Sequence, residues 1–408
     1  MGSPLRFKKG YDFMPLTGKN ILIGVTGGIS IYKTLDVISA LNKLGANVKV
    51  MMTESAAEFV SPMTFEAMSK NPVYTSLFDK KNAWRIPHIS LSKEADLIAI
   101  IPATANIIGK IAGGIADDIV STTVVAATSP VMIAPAMNTN MYHNPVTQRN
   151  IETLKSLGYL FITPTSGVLA CGDIGDGKLA SVEAIVEAIK GQLLYPEKDL
   201  LGKKILVTAG PTQEAIDPVR YITNHSSGKM GYAIAKAALL RGAEVTLVSG
   251  PVNLTVPSGA EVINITSAKE MYDAVMENAE NADIIIKAAA VADYRPENIA
   301  ENKIKKGGEL SIPLSQNPDI VKSLGEKFGG EKVLVGFCME TEDLIENASK
   351  KLKSKNLDFI VANSLNEEGA GFKGDTNIVT IIDKSGNKTD IPLSQKEDIA
   401  NKILDRIK

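Results

Sequence analysis

NILIGVTGGISIYKTLDVISALNKLGANVKVMMT, Asn20 to Thr53, is the stretch that decides the fold. ILIGV is a short, β-branched run with no polar alternation, the pattern of a parallel strand covered on both faces. Gly27 and Gly28 form a tight turn, after which Ile31, Leu35, Ile38 and Leu41 recur at helical spacing. Gly45 ends that helix and VKVMM is the next strand, which completes a βαβ unit. The theme returns at Lys204 as KILVTAG, a polar stretch, and then GKMGYAIAKAALLRGAEVTLVSG. LGANVKVMMT and RGAEVTLVSG are alike, a helix-ending Gly-Ala followed by a strand. Two such starts predict α/β architecture with two doubly wound Rossmann-like domains. The boundary falls in GQLLYPEKDLLGKK (Gly191 to Lys204), where apolar periodicity gives way to proline and charge, giving domains of residues 1–195 and 196–408.

Composition agrees. A chain of 408 residues is too long for one ordinary core and suits two domains of about 200 residues. Lys+Arg 44 against Asp+Glu 46 leaves a net charge of −2, which offers no electrostatic case for nucleic acid or an anionic membrane. Cys171 and Cys338 lie far apart, as in chains from a reducing compartment, so a special cysteine would be reactive rather than structural. No apolar run has signal-peptide or membrane-span length. The expected location is the cytoplasm, with residues 1–17 a short or partly vector-derived arm.

Neither glycine turn is a G-x-G-x-x-G fingerprint, so an ordinary NAD domain is not supported. HSSGKMG resembles a P-loop only superficially, with Thr223 at the first glycine position and Met230 in place of the magnesium-binding Ser/Thr. The second half instead inserts PTQEAIDPVRYITNHSS (Pro211 to Ser227) at a strand's carboxyl end, where a ligand loop is expected. In the first half LIAII and VMIA each end in a polar loop, PATAN (Pro102 to Asn106) and PAMN (Pro135 to Asn138). With TGGIS (Thr26 to Ser30) they make a rim of small, hydroxylic and amide residues, suited to a phosphate and a flat polar ring. Asn106 has the alternative of a turn or cap residue, and Asp117 and Asp118 of a solvated helix turn. His88 has the alternative of simple packing. Cys171 lies in TSGVLACGDIGDGKLA, whose glycines read as a mobile flap; on such a loop it is a candidate acid or thiol catalyst.

PAMNTNMY resembles the P-x-M-N-x-x-M-W signature of the homo-oligomeric flavin-containing cysteine decarboxylases, with Tyr142 where Trp is usual. The upstream His88 and the ACGD flap are similar too, and TAGPTQEAIDPVRYITNHSSGKMG resembles the signature loop of the ligase that precedes that decarboxylase in coenzyme A synthesis. From about Asn20 the whole chain therefore resembles the fused phosphopantothenoylcysteine decarboxylase/phosphopantothenate–cysteine ligases. The resemblance implies a flavodoxin-like flavoprotein domain followed by a ligase domain, assembled as decarboxylase trimers joined by ligase dimers. It places FMN on Gly27, Gly28, Ser30, Thr53, Pro102, Thr104, Asn106 and Met137. Asn138 would orient the substrate carboxylate, His88 assist oxidation, and Cys171 supply the proton during reduction. Chemistry makes sense of these parts: a cysteinyl carboxylate has no electron sink until its CH₂–SH is oxidised to a thioaldehyde.

In the second half the resemblance implies joining of 4′-phosphopantothenate to L-cysteine through an acyl-cytidylate made from CTP, with Mg²⁺ offsetting phosphate charge. Asn224 would contact the acyl-cytidylate. Ser226, Ser227, Gly228 and Lys229 offer hydroxyls, backbone donors and a cation at a helix start. Lys303, in the run ENKIKKGGEL, would meet the nucleotide phosphates, and Ala289, Asp293, Asn317, Pro318, Phe337, Lys351 and Lys355 would complete the site; no metal ligands are assigned. Cys338 reads as packing. Two other classes compete: a flavin decarboxylase with a degenerate ligase-like domain, and a nonenzymatic flavoprotein regulator. Intact NHSSGKMG, VADYRP and KIKK count against the first, and Cys171 against the second.

Overall fold

The β-branched runs become the central strands of two sheets. A computed structural model describes residues 14–78, 86–168, 172, 174–305, 311–340, 343–364 and 374–408, and Cys171 lies outside them. The chain divides into two units, Met1–Pro196 and Glu197–Lys408.

In the first unit the strands are Asn20–Val25 (β1), Asn47–Met52 (β2), Val73–Tyr74 (β3), Leu97–Ala103 (β4), Val131–Pro135 (β5) and Leu160–Phe161 (β6). They pair in parallel in the order β3-β2-β1-β4-β5-β6. This is the Rossmann order, which refines the flavodoxin-like expectation. Side chains of β1 alternate between two cores. Ile21, Ile23 and Val25 join Val37, Ile38 and Leu41 on one face. Leu22 joins Ile98, Ile100, Ile107 and Ile133 on the other. Helices cover both faces, so β4 is buried along its whole length. Leu16, assigned to the leading arm, is fully buried in the first of these cores and its N–H donates to the Leu44 carbonyl at 2.9 Å. Beyond β6, Thr165–Val168 (β7) and Ile174–Lys178 (β8) form an antiparallel hairpin.

The second unit continues with Lys204–Ala209 (β9), Gln213–Ala215 (β10), Tyr221–Thr223 (β11), Glu244–Ser249 (β12), Glu261–Asn264 (β13) and Ile284–Lys287 (β14). After these come Tyr294–Pro296 (β15), Leu314–Gln316 (β16), Val333–Glu340 (β17), Phe359–Ser364 (β18), Thr376–Asp383 (β19) and Lys388–Gln395 (β20). Its sheet runs β13-β12-β9-β14-β17-β18-β19-β20. The six parallel strands repeat the topology of the first unit, and the antiparallel β19–β20 hairpin extends one edge. Again two apolar clusters lie on its two faces. Cys338 is buried in one of them.

One ion pair ties this unit's entry to its end. Arg241, only 1% exposed, follows helix Lys229–Leu240. Its Nε donates to Asp199 Oδ1 at 2.8 Å, and its NH1 meets Asp405 of the C-terminal helix Lys396–Ile407 at 2.9 Å. The guanidinium, helped by Lys408, holds the Asp199 carboxyl down at about 2. Arg241→Ala is expected to destabilise this unit by about 3 kcal/mol, the lower end for a broken buried pair because both carboxylates can rehydrate. A depressed carboxylate contributes above its unfolded value near 4 and loses that contribution as pH falls toward 2. Urea unfolding at pH 7 and at pH 3 checks both points: the cost of the substitution should be smaller at pH 3.

Candidate active sites

In a doubly wound sheet the loops diverge where the strand order reverses, here between β1 and β4 in the first unit and between β9 and β14 in the second. Each crevice is therefore lined by whatever follows those strands.

At the first, Thr26 follows β1 and is 2% exposed. Its hydroxyl donates to the Pro102 carbonyl at 2.7 Å and accepts the Thr104 N–H at 3.1 Å, fastening the TGGIS and PATAN loops together. Thr104 then caps helix Ala105–Ala112 through the Ile107 N–H, and Thr53 caps Glu54–Ala57 through the Ala56 N–H. Gly27 has no room for a side chain, since a Cβ would lie 2.7 Å from Ser55 Cβ. Gly28 differs: a Cβ there would meet nothing nearer than Thr104 Cγ2 at 3.7 Å. A Cβ there would stand in ordinary van der Waals contact with Thr104 Cγ2 and Pro102 Cγ, so packing does not forbid a side chain at Gly28 as it does at Gly27. Ser30 sits half-buried in the single turn Ile29–Ile31, and Asn106 lies exposed in the first turn of the helix that Thr104 caps.

Asn138 is half-buried at the start of helix Thr139–His143, where its Oδ1 accepts the Asn140 N–H at 2.8 Å. The preceding Met137 N–H donates to the Gly177 carbonyl at 2.9 Å, and the Thr139 hydroxyl to the Asp176 carbonyl at 2.9 Å. A Cβ at Gly177, whose φ is +106°, would stand 2.5 Å from the Met137 carbonyl oxygen. Of the glycines read as a mobile flap, Gly175 and Gly177 serve close packing, a Cβ at Gly175 standing 2.6 Å from Thr139 Oγ1, whereas one at Gly172 would meet nothing within 4 Å. His143 Nε2 and the Ser166 hydroxyl both reach the Asp176 carboxylate, which Ser166 foremost holds below the usual carboxylate range. Sequence reasoning singled out neither His143 nor Asp176, because they lie 33 residues apart, one on the helix Thr139–His143 and the other on β8. His88 occupies the second position of helix Pro87–Glu94, and its buried Nδ1 has no partner among the described residues. That orphaned atom suits a group supplied from outside the chain. Asp117 and Asp118 have the structural role: Lys110 pairs with both, at 2.6 and 2.8 Å, and Asp118 caps helix Ile119–Val125.

At the second crevice the Thr208 hydroxyl accepts the Ala289 N–H at 3.1 Å, and the Thr212 hydroxyl accepts the Ala292 N–H at 3.0 Å. Asn224 Nδ2 donates to the Ala290 carbonyl at 3.1 Å. Asn317 Nδ2 donates to the Ala292 carbonyl, and its N–H to the Asp293 carbonyl. Asn224, Ala289, Asp293, Asn317 and Pro318 are thus brought together around one loop. Asp319, next to Pro318, caps helix Ile320–Phe328 and pairs with Lys355 at 2.8 Å. Lys351 lies one turn earlier on that lysine's helix, Leu344–Ser354, and Phe337 packs against the core from β17. Ser226 accepts the Gly228 N–H at the start of helix Lys229–Leu240, beside Ser227, while Lys229 reaches across to Asp375 at 2.7 Å. Lys303 is exposed in the irregular segment after Ala300. Among the described residues no group of three or more His, Cys, Asp or Glu side chains could hold a metal ion.

Sequence reasoning passed over four residues here. Glu214, 3% exposed, accepts the Ala268 N–H and so anchors β10 to helix Ala268–Ala279. Asp217 and Arg220 form an ion pair that the D-P-V-R spacing could have suggested. Lys287 ends β14 with its Nζ donating to the Ala289 carbonyl at 2.8 Å. Burial, followed by the nearby Lys355 ammonium, pushes Lys287 down to about 8.

Comparison with known proteins covers almost the whole chain. Residues 14–194 match the family described as Flavoprotein, and residues 200–408 the DNA/pantothenate metabolism flavoprotein C-terminal domain. A protein of Bacillus subtilis (strain 168) named coenzyme A biosynthesis bifunctional protein CoaBC is 51% identical over 395 residues, 96% of this chain and 97% of its own. Its namesake from Escherichia coli (strain K12) is 44% identical over 398 residues, 97% of this chain and 98% of its own. Among solved structures, the C-terminal domain of a CoaBC protein is 46% identical over 52% of this chain and 96% of that one, with a TM-score of 0.45. The FMN-dependent cysteine decarboxylase SpaF is 34% identical over 44% and 97%, with a TM-score of 0.39.

The depressed Lys287 makes a prediction about stability. Between a folded value of about 8 and an unfolded one near 10.4 the unfolded chain binds more protons, so this group's contribution rises with pH. Lys287→Met should be the more stable protein at pH 7. The advantage, at most about 3 kcal/mol, should fade by pH 10. Chemical unfolding of both proteins at the two pH values measures it, and a gap independent of pH would refute the depressed value.

Proposed function

The chain belongs to the family of bifunctional coenzyme A biosynthesis proteins, and on that premise we propose how its two units divide the work. The protein is a bifunctional enzyme with decarboxylase and ligase activities. The first unit is the FMN-dependent decarboxylase of 4′-phosphopantothenoylcysteine. The second is the ligase that makes that compound from 4′-phosphopantothenate, L-cysteine and CTP. One observation carries the division: two sheets of the same topology end, at equivalent switch points, in two different polar sets.

The first crevice fits FMN. Small, hydroxylic and amide residues along the rim, an uncrowded glycine at position 28 and an orphaned Nδ1 on His88 support a flat, phosphorylated ring system there. FMN, when bound, supplies the two-electron oxidation and reduction that give the substrate an electron sink. The chain does the rest. The Gly27–Ser30 turn and Thr104 hold the cofactor, with Thr53, Pro102, Asn106 and Met137 around it. Asn138 orients the substrate carboxylate, and its orientation is set by the cap it forms and by the hairpin docked on Met137. His88 handles a proton at Nδ1, and Cys171 returns one to the reduced product. In the second unit Asn224 contacts the activated acyl group, Ser226 to Lys229 and Lys303 meet the phosphates, and Ala289, Asp293, Asn317, Pro318, Phe337, Lys351 and Lys355 line the nucleotide's place. Mg²⁺, when bound with the nucleotide, would supply positive charge to offset that of the phosphates. We place the enzyme in the cytoplasm as decarboxylase trimers joined through ligase dimers. No helix of the described residues is long and apolar enough to cross a membrane.

Incubation with 4′-phosphopantothenate, cysteine, CTP and Mg²⁺ should release CO₂ and 4′-phosphopantetheine; pyrophosphate without CO₂ would leave only the ligase. Lys303→Gln should abolish ligation, because charge-assisted contacts to phosphate are worth about 1.5–3 kcal/mol each. It should spare decarboxylation of supplied 4′-phosphopantothenoylcysteine, and a joint loss in a folded, yellow protein would defeat the two-site assignment.

Asn138→Asp should retain FMN yet turn over poorly, since a second carboxylate repels the substrate's own. Absorbance near the flavin maximum and CO₂ release read the two effects separately. Lost flavin with preserved turnover after reconstitution would rule the role out.

A further inference from the structure

Asp217 is the most thoroughly bonded carboxylate in the second unit that no part of the reaction above uses. Its side chain is wholly buried. Oδ1 accepts the N–H of Val219 at 2.9 Å and of Arg220 at 2.8 Å, closing its own turn. Oδ2 accepts Arg220 Nε at 2.9 Å and a second, shorter bond from Arg220 NH2. The same Oδ2 also accepts the N–H of Ile304 at 3.1 Å, 87 residues further along the chain. Arg220 NH2 in turn donates to the Ile304 carbonyl at 3.0 Å. Both backbone groups of Ile304 are therefore held by one ion pair. A further bond from the Ala300 N–H to the Ile216 carbonyl, 3.0 Å, ties down the start of the same segment.

What is held matters. Residues 301–305 form neither helix nor strand, so no ladder of backbone hydrogen bonds fixes them. Ile304 sits between Lys303 and Lys305. Burying a carboxylate to grip an irregular backbone is unfavourable unless it is fully hydrogen-bonded, and here it is. The return is a lysine whose Cα cannot wander. We propose that Asp217 is a positioning residue for the ligase: through Ile304 it sets Lys303 where the nucleotide phosphates bind. This rests on the ligase reading of the second unit. The alternative is a purely structural tie between the β10–β11 turn and the segment beyond β15, with no effect on phosphate binding.

A double-mutant cycle separates the two. Asp217→Asn keeps the shape and an Oδ1 acceptor for the turn, but puts an NH₂ where Ile304 N–H and Arg220 need an oxygen. Titration calorimetry with CTP and Mg²⁺ is run on the full-length parent, Asp217→Asn, Lys303→Gln and the double variant, at protein concentrations that saturate the weakest. We expect Asp217→Asn to raise Kd about tenfold in the parent. In the Lys303→Gln background it should add less than about twofold, because the residue through which it acts is already gone. Decarboxylation of supplied 4′-phosphopantothenoylcysteine should stay at the parent rate, showing that the loss is local. If Asp217→Asn melts the second unit, Arg220→Gln carries the same cycle with a smaller first step, since the Ile304 N–H bond survives. Equal losses in both backgrounds, or no loss in the parent, overturn the inference while leaving the ligase reading intact. Failure of the parent itself to bind CTP overturns that reading, and the inference with it.

Discussion

Both sheets are covered on both faces, and that constraint governs everything else in the molecule. A parallel strand buried throughout, as β4 is, offers no side chain to solvent except at its ends. Chemistry can only be hung on the loops that follow the strands, and those loops separate enough to admit a ligand only where the strand order reverses. The two halves share the order 3-2-1-4-5-6, so they share the position of that opening. Their difference in function is a difference in loops.

The halves even solve the same local problem in the same way. Splitting two neighbouring strands at a switch point leaves backbone groups without their ladder partners. In the first unit the Thr26 hydroxyl takes the Thr104 N–H across the gap, and in the second the Thr208 hydroxyl takes the Ala289 N–H. A buried threonine is a bridge between diverging loops in both cases. From there the designs part. The first rim is made of small, hydroxylic and amide residues, among them Thr26, Gly28, Thr104 and Asn138. The second has Lys287 at the end of β14, with Lys351 and Lys355 on the helix Leu344–Ser354 and its cap close enough to act on it, and Asp319 pairs with Lys355. The two rims thus differ in charge.

Rigidity is distributed to match. At the first crevice the PAMN segment is fixed from two sides, by its own helix cap and by the hairpin that carries Cys171's neighbours. At the second, the irregular lysine-bearing segment is held by a buried ion pair rather than by regular structure. Both arrangements let a loop be irregular enough to meet a ligand and still be pre-organised.

The sequence by itself determined the elements and their class. Strands β1, β4, β5, β9 and β14 are apolar runs of period-free burial. The helix Tyr32–Lys43 shows its core face in Leu35, Ile38 and Leu41 and its end in Gly45. The strand-end motifs are contiguous in the chain, and the change of composition between Gly191 and Lys204 brackets the division after Pro196. What only the tertiary structure decided is whatever depends on residues far apart in the chain. Lys229 meets Asp375 across 146 positions and Asp217 meets Ile304 across 87, and no local pattern encodes such pairings. Nor could composition tell that Gly175 and Gly177 pack closely against Thr139 and Met137, or that Leu16 belongs to a core. Periodicity reports which way a side chain points along its own element. Which partner it finds there is fixed only when the sheets close.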